Sequence, residues 1–207
     1  MAATGALFVV DVQNDFCPGG TLPVSEGDKV VPLLNDYILL FREAGLPVYL
    51  TRDWHPASTR HFQEFGGVWP PHCVQDTKGA EFHPDLKVLL TAVIVSKGMD
   101  PNEDSYSAFQ GVDEQGLNVV TSLRHRGVDH IYIGGLATDY CVRYTALDAL
   151  KEGFKITVLE DAIQGVDLTP GDSERAMEEI RRAGAKMARL TAVAAALSKK
   201  QGTQTVV

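Results

Sequence analysis

A single cysteine, Cys141, lies where a thiol could act as a nucleophile. The apolar run Ile131-Tyr132-Ile133 predicts a strand that ends at Gly134-Gly135, and a helical pattern begins just before Cys141. The first turn of a helix carries unpaired backbone amides and the positive end of the helix dipole. These features favour a thiolate and can hold an oxyanion, as acyl transfer by a cysteine requires. The alternative is that Cys141 is an ordinary buried thiol.

Two further ionisable residues, Asp11 and Lys97, each follow an apolar run that predicts a strand. A carboxylate in that position is partly desolvated, which raises its pKa and suits it to proton transfer. A lysine at the same edge would stabilise both a thiolate and a carboxylate. Taken separately, Asp11 also fits a turn or a helix cap, and Lys97 also fits a solvent-exposed side chain.

A group of potential metal ligands lies between positions 53 and 72. Asp53 and His55 alternate along an extended chain, so their side chains point the same way. His72 could complete a site made of one carboxylate and two imidazoles, and His61 is a further candidate. Such ligands suit zinc, manganese or iron, so the sequence predicts one divalent metal ion, with zinc preferred. Cys73, beside His72, is an alternative ligand.

The elements that must position these residues follow a clear rhythm. Segments with helical spacing end in glycine and are followed by short apolar runs, which is typical of helices alternating with buried strands. Six such runs are present: 6–10, 46–50, 92–95, 131–133, 154–159 and 186–190. They predict an α/β fold, a three-layer sandwich around a mostly parallel six-stranded sheet with Rossmann-like topology. Active sites in such sheets lie at the carboxyl ends of the strands, where the candidate residues fall.

The chain of 207 residues fits a single domain, 1–207. Within it, the segment at about 53–91 is too long for an ordinary connection and is rich in histidine, proline and aromatic residues. Because long loops in compact domains are usually functional, we expect this segment to be a metal-binding insertion.

Charge and cysteine content narrow the choice of partners and compartment. A net charge of −8 argues against a nucleic acid or an anionic membrane as a partner. No apolar run reaches the length of a membrane span, and no signal peptide is evident at the N-terminus. Three widely spaced cysteines predict reduced thiols and a cytoplasmic location.

Taken together, these residues resemble the nicotinamidase/pyrazinamidase family of the isochorismatase-like cysteine hydrolases. The resemblance extends from about residue 5 to about residue 195, and its specificity comes from six runs in a fixed order. The six runs are 8–16 (FVVDVQNDF), 51–56 (TRDWHP), 66–73 (GGVWPPHC), 97–98 (KG), 106–109 (YSAF) and 135–142 (GLATDYCV).

The resemblance implies a catalytic triad and a metal site. Its triad maps onto Asp11, Lys97 and Cys141. Its metal ligands map onto Asp53, His55 and His72, and in some members a further histidine binds at the position of His61. Relatives of the isochorismatase type generally lack this ligand set, which favours the amidase branch.

The resemblance also implies how a substrate is held. A cis peptide bond precedes Ala137, and the backbone amides of Ala137 and Cys141 form an oxyanion hole. Phe16 and Trp69 would enclose an aromatic ring. Together with Tyr106 and Ala137 they are the predicted substrate-binding residues. Phe109 is a further candidate for the pocket, and core packing is the alternative for each aromatic residue.

The activity implied by the resemblance is the hydrolysis of nicotinamide, and of pyrazinamide, through a cysteine thioester. The products are nicotinate (or the corresponding acid) and ammonia, the role is NAD salvage, and the expected assembly is a homo-oligomer. Three alternatives stay open: an amidase for ureido or carbamoyl compounds, a metal-free vinyl-ether hydrolase, and a non-catalytic metal-binding or sensor protein. The apolar stretch 192–197 fits either the core or an interface.

Overall fold

A computed structural model describes residues 4–204, and side chains from residue 5 to residue 199. The ends of the predicted domain, residues 1–3 and 205–207, lie outside the described residues. The central element is a seven-stranded sheet with the order β4-β3-β2-β1-β5-β6-β7. Its strands are β1 (Thr4–Val10), β2 (Val48–Asp53), β3 (Val93–Lys97), β4 (Val112–Asp113), β5 (Val128–Leu136), β6 (Lys155–Gln164) and β7 (Lys186–Ala188). All neighbouring strands pair in parallel except β3 and β4, which are antiparallel.

The predicted fold class is confirmed, with one strand more than the six expected. The extra strand, β4, is only Val112–Asp113, and it pairs with Val95 and Ser96 at the edge of the sheet. Two residues are too few to show the alternation of apolar and polar side chains from which a strand is predicted. The six predicted strands form the parallel body of the sheet.

Helices cover both faces of the sheet and make the structure three-layered. They are α1 (Val30–Glu43), α2 (Val119–His125), α3 (Arg143–Lys151), α4 (Asp172–Arg182) and α5 (Leu190–Gln204). Alternate residues of β1 pack into two separate cores, because successive side chains of a strand point to opposite faces. Leu7 and Val9 pack in the core beneath α1 and α5, whereas Phe8 and Val10 pack in the core beneath α2, α3 and α4.

The apolar C-terminal stretch contributes to the core. Val193 and Leu197 of α5 are buried and belong to the same core as α1. Within the described part of the chain, no helix is both long enough and apolar enough to cross a membrane.

The order of the strands creates a crevice beside β1. The chain runs outward from β1 through β2 and β3, and then returns to place β5 on the other side of β1. Ligands of open α/β sheets bind at such a switch point, outside the carboxyl ends of the strands. Asp11 directly follows β1, and Cys141 follows β5 after a short turn.

Gly135 allows β5 to approach β1 next to Asp11. Its φ is +120°, and a Cβ atom there would lie 2.2 Å from the carbonyl oxygen and 2.6 Å from the amide nitrogen of Val10. Both atoms belong to the backbone of the central strand, so they cannot move without disturbing the sheet. Only glycine combines this φ with this contact.

We expect Gly135→Ala to lower the free energy of unfolding by more than about 3 kcal/mol, since it adds a backbone clash to backbone strain. Gly116→Ala is the matched control, because Gly116 also has a positive φ (+77°) but no atom of the described residues lies within 4 Å of where its Cβ would be. The control should cost only about 1 kcal/mol. Urea denaturation of both variants measures the difference, and equal losses would contradict the role given to the close approach.

Candidate active site

The structure brings Asp11, Lys97 and Cys141 together at the carboxyl edge of the sheet. Lys97 is the last residue of β3, and its Nζ lies 2.9 Å from Asp11 Oδ2 and 3.5 Å from Cys141 Sγ. The same ammonium group also donates to Asp53 Oδ1. All of these side chains are buried. The predicted cluster of a carboxylate, an amine and a thiol is therefore present, with one ammonium group at its centre.

Burial and charge have opposite effects on these groups. Burial alone would lower the pKa of Lys97, but Asp11 and Asp53 outweigh it and raise that pKa well above its ordinary value. Burial raises the pKa of Asp11, against the opposing effect of Lys97. For Asp53, the nearby Lys97 and His55 overcome burial and hold the pKa well below its usual range. Lys97 is thus a charged ammonium, and Asp11 is the better proton acceptor of the two carboxylates.

Cys141 differs from the expectation that a helix start favours its thiolate. It lies in a π-helical turn, Thr138–Val142, directly before α3. Burial raises the pKa of the Cys141 thiol well above its ordinary value, and the Lys97 ammonium opposes that rise only in part. Desolvation is the larger effect because the thiol is enclosed by the fold. The resting cysteine is therefore a thiol that needs a base.

Two polar residues that the sequence analysis did not identify hold the Asp11 carboxylate and the backbone of Asp53 in place. Thr51 Oγ1 donates to Asp11 Oδ1 at 2.6 Å, which leaves Oδ2 to face Lys97. Gln13 accepts from the backbone amide of Asp53 at 2.8 Å and donates to its carbonyl oxygen at 2.8 Å. Both are fully buried at the carboxyl ends of strands, and that position was the available signal.

Three histidines form a second cluster beside Asp53. The ligating nitrogens of His55, His61 and His72 all lie within 4.8 Å of one another. Each Nδ1 faces an acceptor: the carbonyl oxygen of Gly98 at 3.0 Å for His55, and that of Pro70 at 2.8 Å for His72. The Nδ1 of His61 faces Asp104 Oδ1 at 2.7 Å. Since these oxygens only accept, each Nδ1 carries the hydrogen and each Nε2 presents a lone pair.

The cluster fits a divalent metal ion. Asp53 Oδ2 lies 3.8 Å from His55 Nε2 and 4.0 Å from His72 Nε2, too far for hydrogen bonds. Among the described residues, the buried His55 Nε2 has no hydrogen-bond partner. Burial lowers the pKa of His72 to about 4, so its imidazole is neutral, which is the form that binds metals. A shared cation would satisfy buried lone pairs that otherwise stay unpaired.

His61 and Cys73, the two further candidate ligands, are placed differently. His61 is in the histidine cluster, and Asp104, which the sequence analysis did not identify, orients its ring. Cys73 is in neither of the two clusters of ligating side chains found between residues 4 and 204. Its backbone amide donates to Asp15 Oδ2 at 2.8 Å.

A cavity joins the two clusters. It is lined by Cys141, Asp53, His61 and His72, by the four predicted substrate-binding residues Phe16, Trp69, Tyr106 and Ala137, and by Leu22, Tyr140 and Val166. Trp69 Nε1 donates to the Tyr106 hydroxyl at 2.9 Å. The peptide bond before Ala137 is cis, as the resemblance implied. Phe109 instead stacks on Phe8, and is a core residue.

We expect Lys97→Met to shift the pH profile of Cys141 alkylation by iodoacetamide to higher pH, by about one unit or more. The sign follows from the ammonium group, which lowers the pKa of the thiol, so its removal leaves less thiolate at any given pH. Mass spectrometry locates the alkylated cysteine, and circular dichroism checks the fold. Lys151→Met, at an exposed lysine, is the control. An unchanged profile in Lys97→Met would contradict this electrostatic role.

Comparisons with known proteins agree with this geometry. Residues 5–192 match the family model described as "Isochorismatase domain". The chain is 41% identical over 198 residues to the nicotinamidase of Escherichia coli, covering 88% of this chain and 93% of that protein. It is 40% identical to the nicotinamidase/pyrazinamidase of Mycobacterium tuberculosis, covering 88% and 97% of the two chains.

A solved structure supports the same assignment. The pyrazinamidase of Pyrococcus horikoshii, in complex with zinc, superimposes with a TM-score of 0.83 at 49% identity, covering 90% of this chain and 99% of that one. The buried Asp11–Lys97–Cys141 cluster and the adjoining histidines lie within the matched segment. The chain therefore belongs to the isochorismatase-like hydrolases and, within them, to the nicotinamidase/pyrazinamidase family.

Proposed function

We propose that this protein is a nicotinamidase, which hydrolyses nicotinamide, and also pyrazinamide, to the carboxylic acid and ammonia. The observation that carries the proposal is that Cys141 and the imidazoles of His61 and His72 line one aromatic cavity. Nicotinamide has a carboxamide and a ring nitrogen on different parts of one planar molecule. A nucleophile and a metal site in the same small cavity match those two groups, and the nicotinamidase relatives support the match.

In the proposed mechanism, Asp11 first acts as the base. It takes the proton of the Cys141 thiol, and the adjacent Lys97 ammonium stabilises the thiolate as it forms. The thiolate attacks the carboxamide carbon and forms a carbon–sulfur bond. The negative oxygen is held by the amides of Ala137 and Cys141, and each such donor contributes a factor of about 10² to 10³.

Asp11 then acts as the acid. It returns the proton to the amide nitrogen, the carbon–nitrogen bond breaks, and ammonia leaves a thioester on Cys141. Asp11 next takes a proton from water, whose oxygen attacks the thioester carbon. The carbon–sulfur bond breaks, Asp11 returns the proton to the sulfur of Cys141, and the acid leaves and ionises to nicotinate. The buried environment of Asp11 suits both roles, since burial raises its pKa towards the working range of an acid–base group.

The metal site would hold the substrate ring. Asp53, His55 and His72 are the proposed ligands, with His61 as a fourth, and segment 53–91 is the proposed metal-binding insertion. A divalent ion bound there would supply a Lewis-acid contact for the pyridine nitrogen, directly or through water. We propose zinc, because one carboxylate with imidazoles suits it and the Pyrococcus relative binds it. Phe16 and Trp69 would enclose the ring.

The wider role rests on the family. We propose that the protein acts in NAD salvage as a cytoplasmic homo-oligomer, with small-molecule amides as its partners and neither nucleic acid nor membrane. A ureido or carbamoyl amidase would use the same thiol chemistry, but the aromatic lining of the cavity favours a ring. The histidine cluster argues against a metal-free vinyl-ether hydrolase, and the assembled Asp11–Lys97–Cys141 cluster argues against a non-catalytic protein.

We expect Cys141→Ala to abolish ammonia release from nicotinamide and to leave substrate binding intact, because the variant loses only the nucleophile. A coupled ammonia assay and calorimetric binding measure the two properties. Cys17→Ala is the matched control, since Cys17 is also a buried free thiol but does not line the cavity. Retained turnover in Cys141→Ala would exclude the thioester mechanism.

Metal content gives an independent test. We expect His72→Ala and Asp53→Ala to lower bound zinc by at least about tenfold, since each removes one ligand from a site of few. His61→Ala should have a similar effect if its Nε2 is a ligand. His125→Ala, at an exposed histidine, is the control. Elemental analysis after dialysis against a weak chelator is the measurement, and full zinc content in His72→Ala would refute the ligand set.

A further inference from the structure

Asp139 is a buried carboxylate to which the proposed mechanism assigns no role. It lies in the same π-helical turn as Cys141, two residues before the nucleophile, and only 8% of its surface is exposed. Its Oδ1 accepts from the backbone amide of Val166 at 2.9 Å, and its Oδ2 accepts from that of Asp167 at 2.8 Å. Both oxygens of one carboxylate therefore hold two successive amides of a distant segment.

That segment is the turn 165–167, which follows the carboxyl end of β6. Gly165 fits it tightly, because a Cβ atom there would lie 1.8 Å from Ser173 Oγ and 3.2 Å from Asp139 Oδ1. On its other side, Asp167 accepts from the amide of Ser173 at 2.8 Å and from its hydroxyl at 2.7 Å. The 165–167 turn is thus held between the first turn of α4 and the nucleophile turn (Thr138–Val142, which carries Cys141).

Val166 is the part of this turn that reaches the substrate site. It lines the cavity together with Cys141 and Ala137. Asp139 is not among the cavity-lining residues in the described part of the chain. The hydrogen bond to the Val166 amide therefore links the Asp139 side chain to a residue that lines the cavity.

We propose that Asp139 is a positioning residue, which holds the 165–167 turn so that Val166 forms an apolar wall against the bound ring. The inference rests on the proposed function, since it takes the ligand to be an aromatic amide. Asp139 thereby also sets substrate specificity. The distance between Val166 and Cys141 limits the width of a ring whose carboxamide can still reach the thiol.

Loss of the two hydrogen bonds should weaken substrate binding more than chemistry. We expect Asp139→Ala to raise KM for nicotinamide about tenfold, as for the loss of a well-packed apolar contact. The value of kcat should fall by less than about threefold, because Asp11, Lys97 and Cys141 keep their own contacts. Alkylation of Cys141 by iodoacetamide should keep its rate, and hydrogen exchange at the Val166 and Asp167 amides should accelerate.

Asp113→Ala is the matched control. Asp113 is similarly buried (4% exposed) and also accepts from two backbone amides, those of Gln115 and Leu117, but it lies on the edge strand β4, with β3, β2 and β1 between it and β5. Comparison with Asp113→Ala therefore separates a general loss of stability from an effect on the substrate site. An equal rise in KM in both variants would overturn the proposal, and so would a loss of kcat with slower alkylation in Asp139→Ala.

A double-mutant cycle tests the path through Val166. Val166→Ala alone should raise KM by about tenfold, and adding Asp139→Ala should raise it little further, because contacting residues are non-additive. Fully multiplicative effects would overturn the proposal. If Asp139→Ala does not fold, Asp139→Asn keeps one acceptor oxygen and should give an intermediate KM, whereas an unchanged KM would overturn it.

The same measurements separate this proposal from the proposed function. A wild-type protein that releases no ammonia from nicotinamide refutes the function. Ammonia release by wild-type and Asp113→Ala proteins, with an unchanged KM in the Asp139 variants, refutes only the role of Asp139.

Discussion

The structure depends on one buried ammonium group, that of Lys97, held between the carboxylates of Asp11 and Asp53. A charge without a partner in this position would be very costly, so the three strands that carry these residues must keep their register. Asp11 and Asp53 group with Cys141, and Asp53 also lies beside the three histidines. Lys97 therefore contacts the carboxylate that lies between the two clusters.

The sheet makes that junction possible. Residues from β1, β2 and β3 meet because parallel strands end at the same edge, and the pairing of Asp53 with Lys97 along β2 and β3 fixes their register. Cys141 reaches the same point from the other side of β1, where β5 approaches closely at Gly135. The switch in strand order thus places Cys141 and Asp11, the proposed nucleophile and base, at one crevice.

Sequence reasoning located the strand ends and the residues at them, because short apolar runs and glycine caps are local signals. It missed β4, which is too short to be periodic. It also missed Thr51, Gln13 and Asp139, whose roles come from hydrogen bonds to atoms far along the chain. The helix-dipole argument for Cys141 was incomplete for the same reason: it is a local argument, whereas the burial that raises the pKa of the thiol comes from the whole fold.

The charges of the site explain why burial does not disable it. Lys97 offsets one of the two buried carboxylates, and burial keeps His72 neutral, so that imidazole adds no positive charge. Burial is the main reason why the resting thiol keeps its proton, and the charges of Asp11 and Asp53 act in the same direction. A divalent cation at the proposed ligand site would add positive charge beside Asp53 and so affect the proposed catalytic residues as well. Asp53 can serve both clusters because its two oxygens face different partners. One oxygen accepts from Lys97, and the other faces the proposed ligand site beside His55.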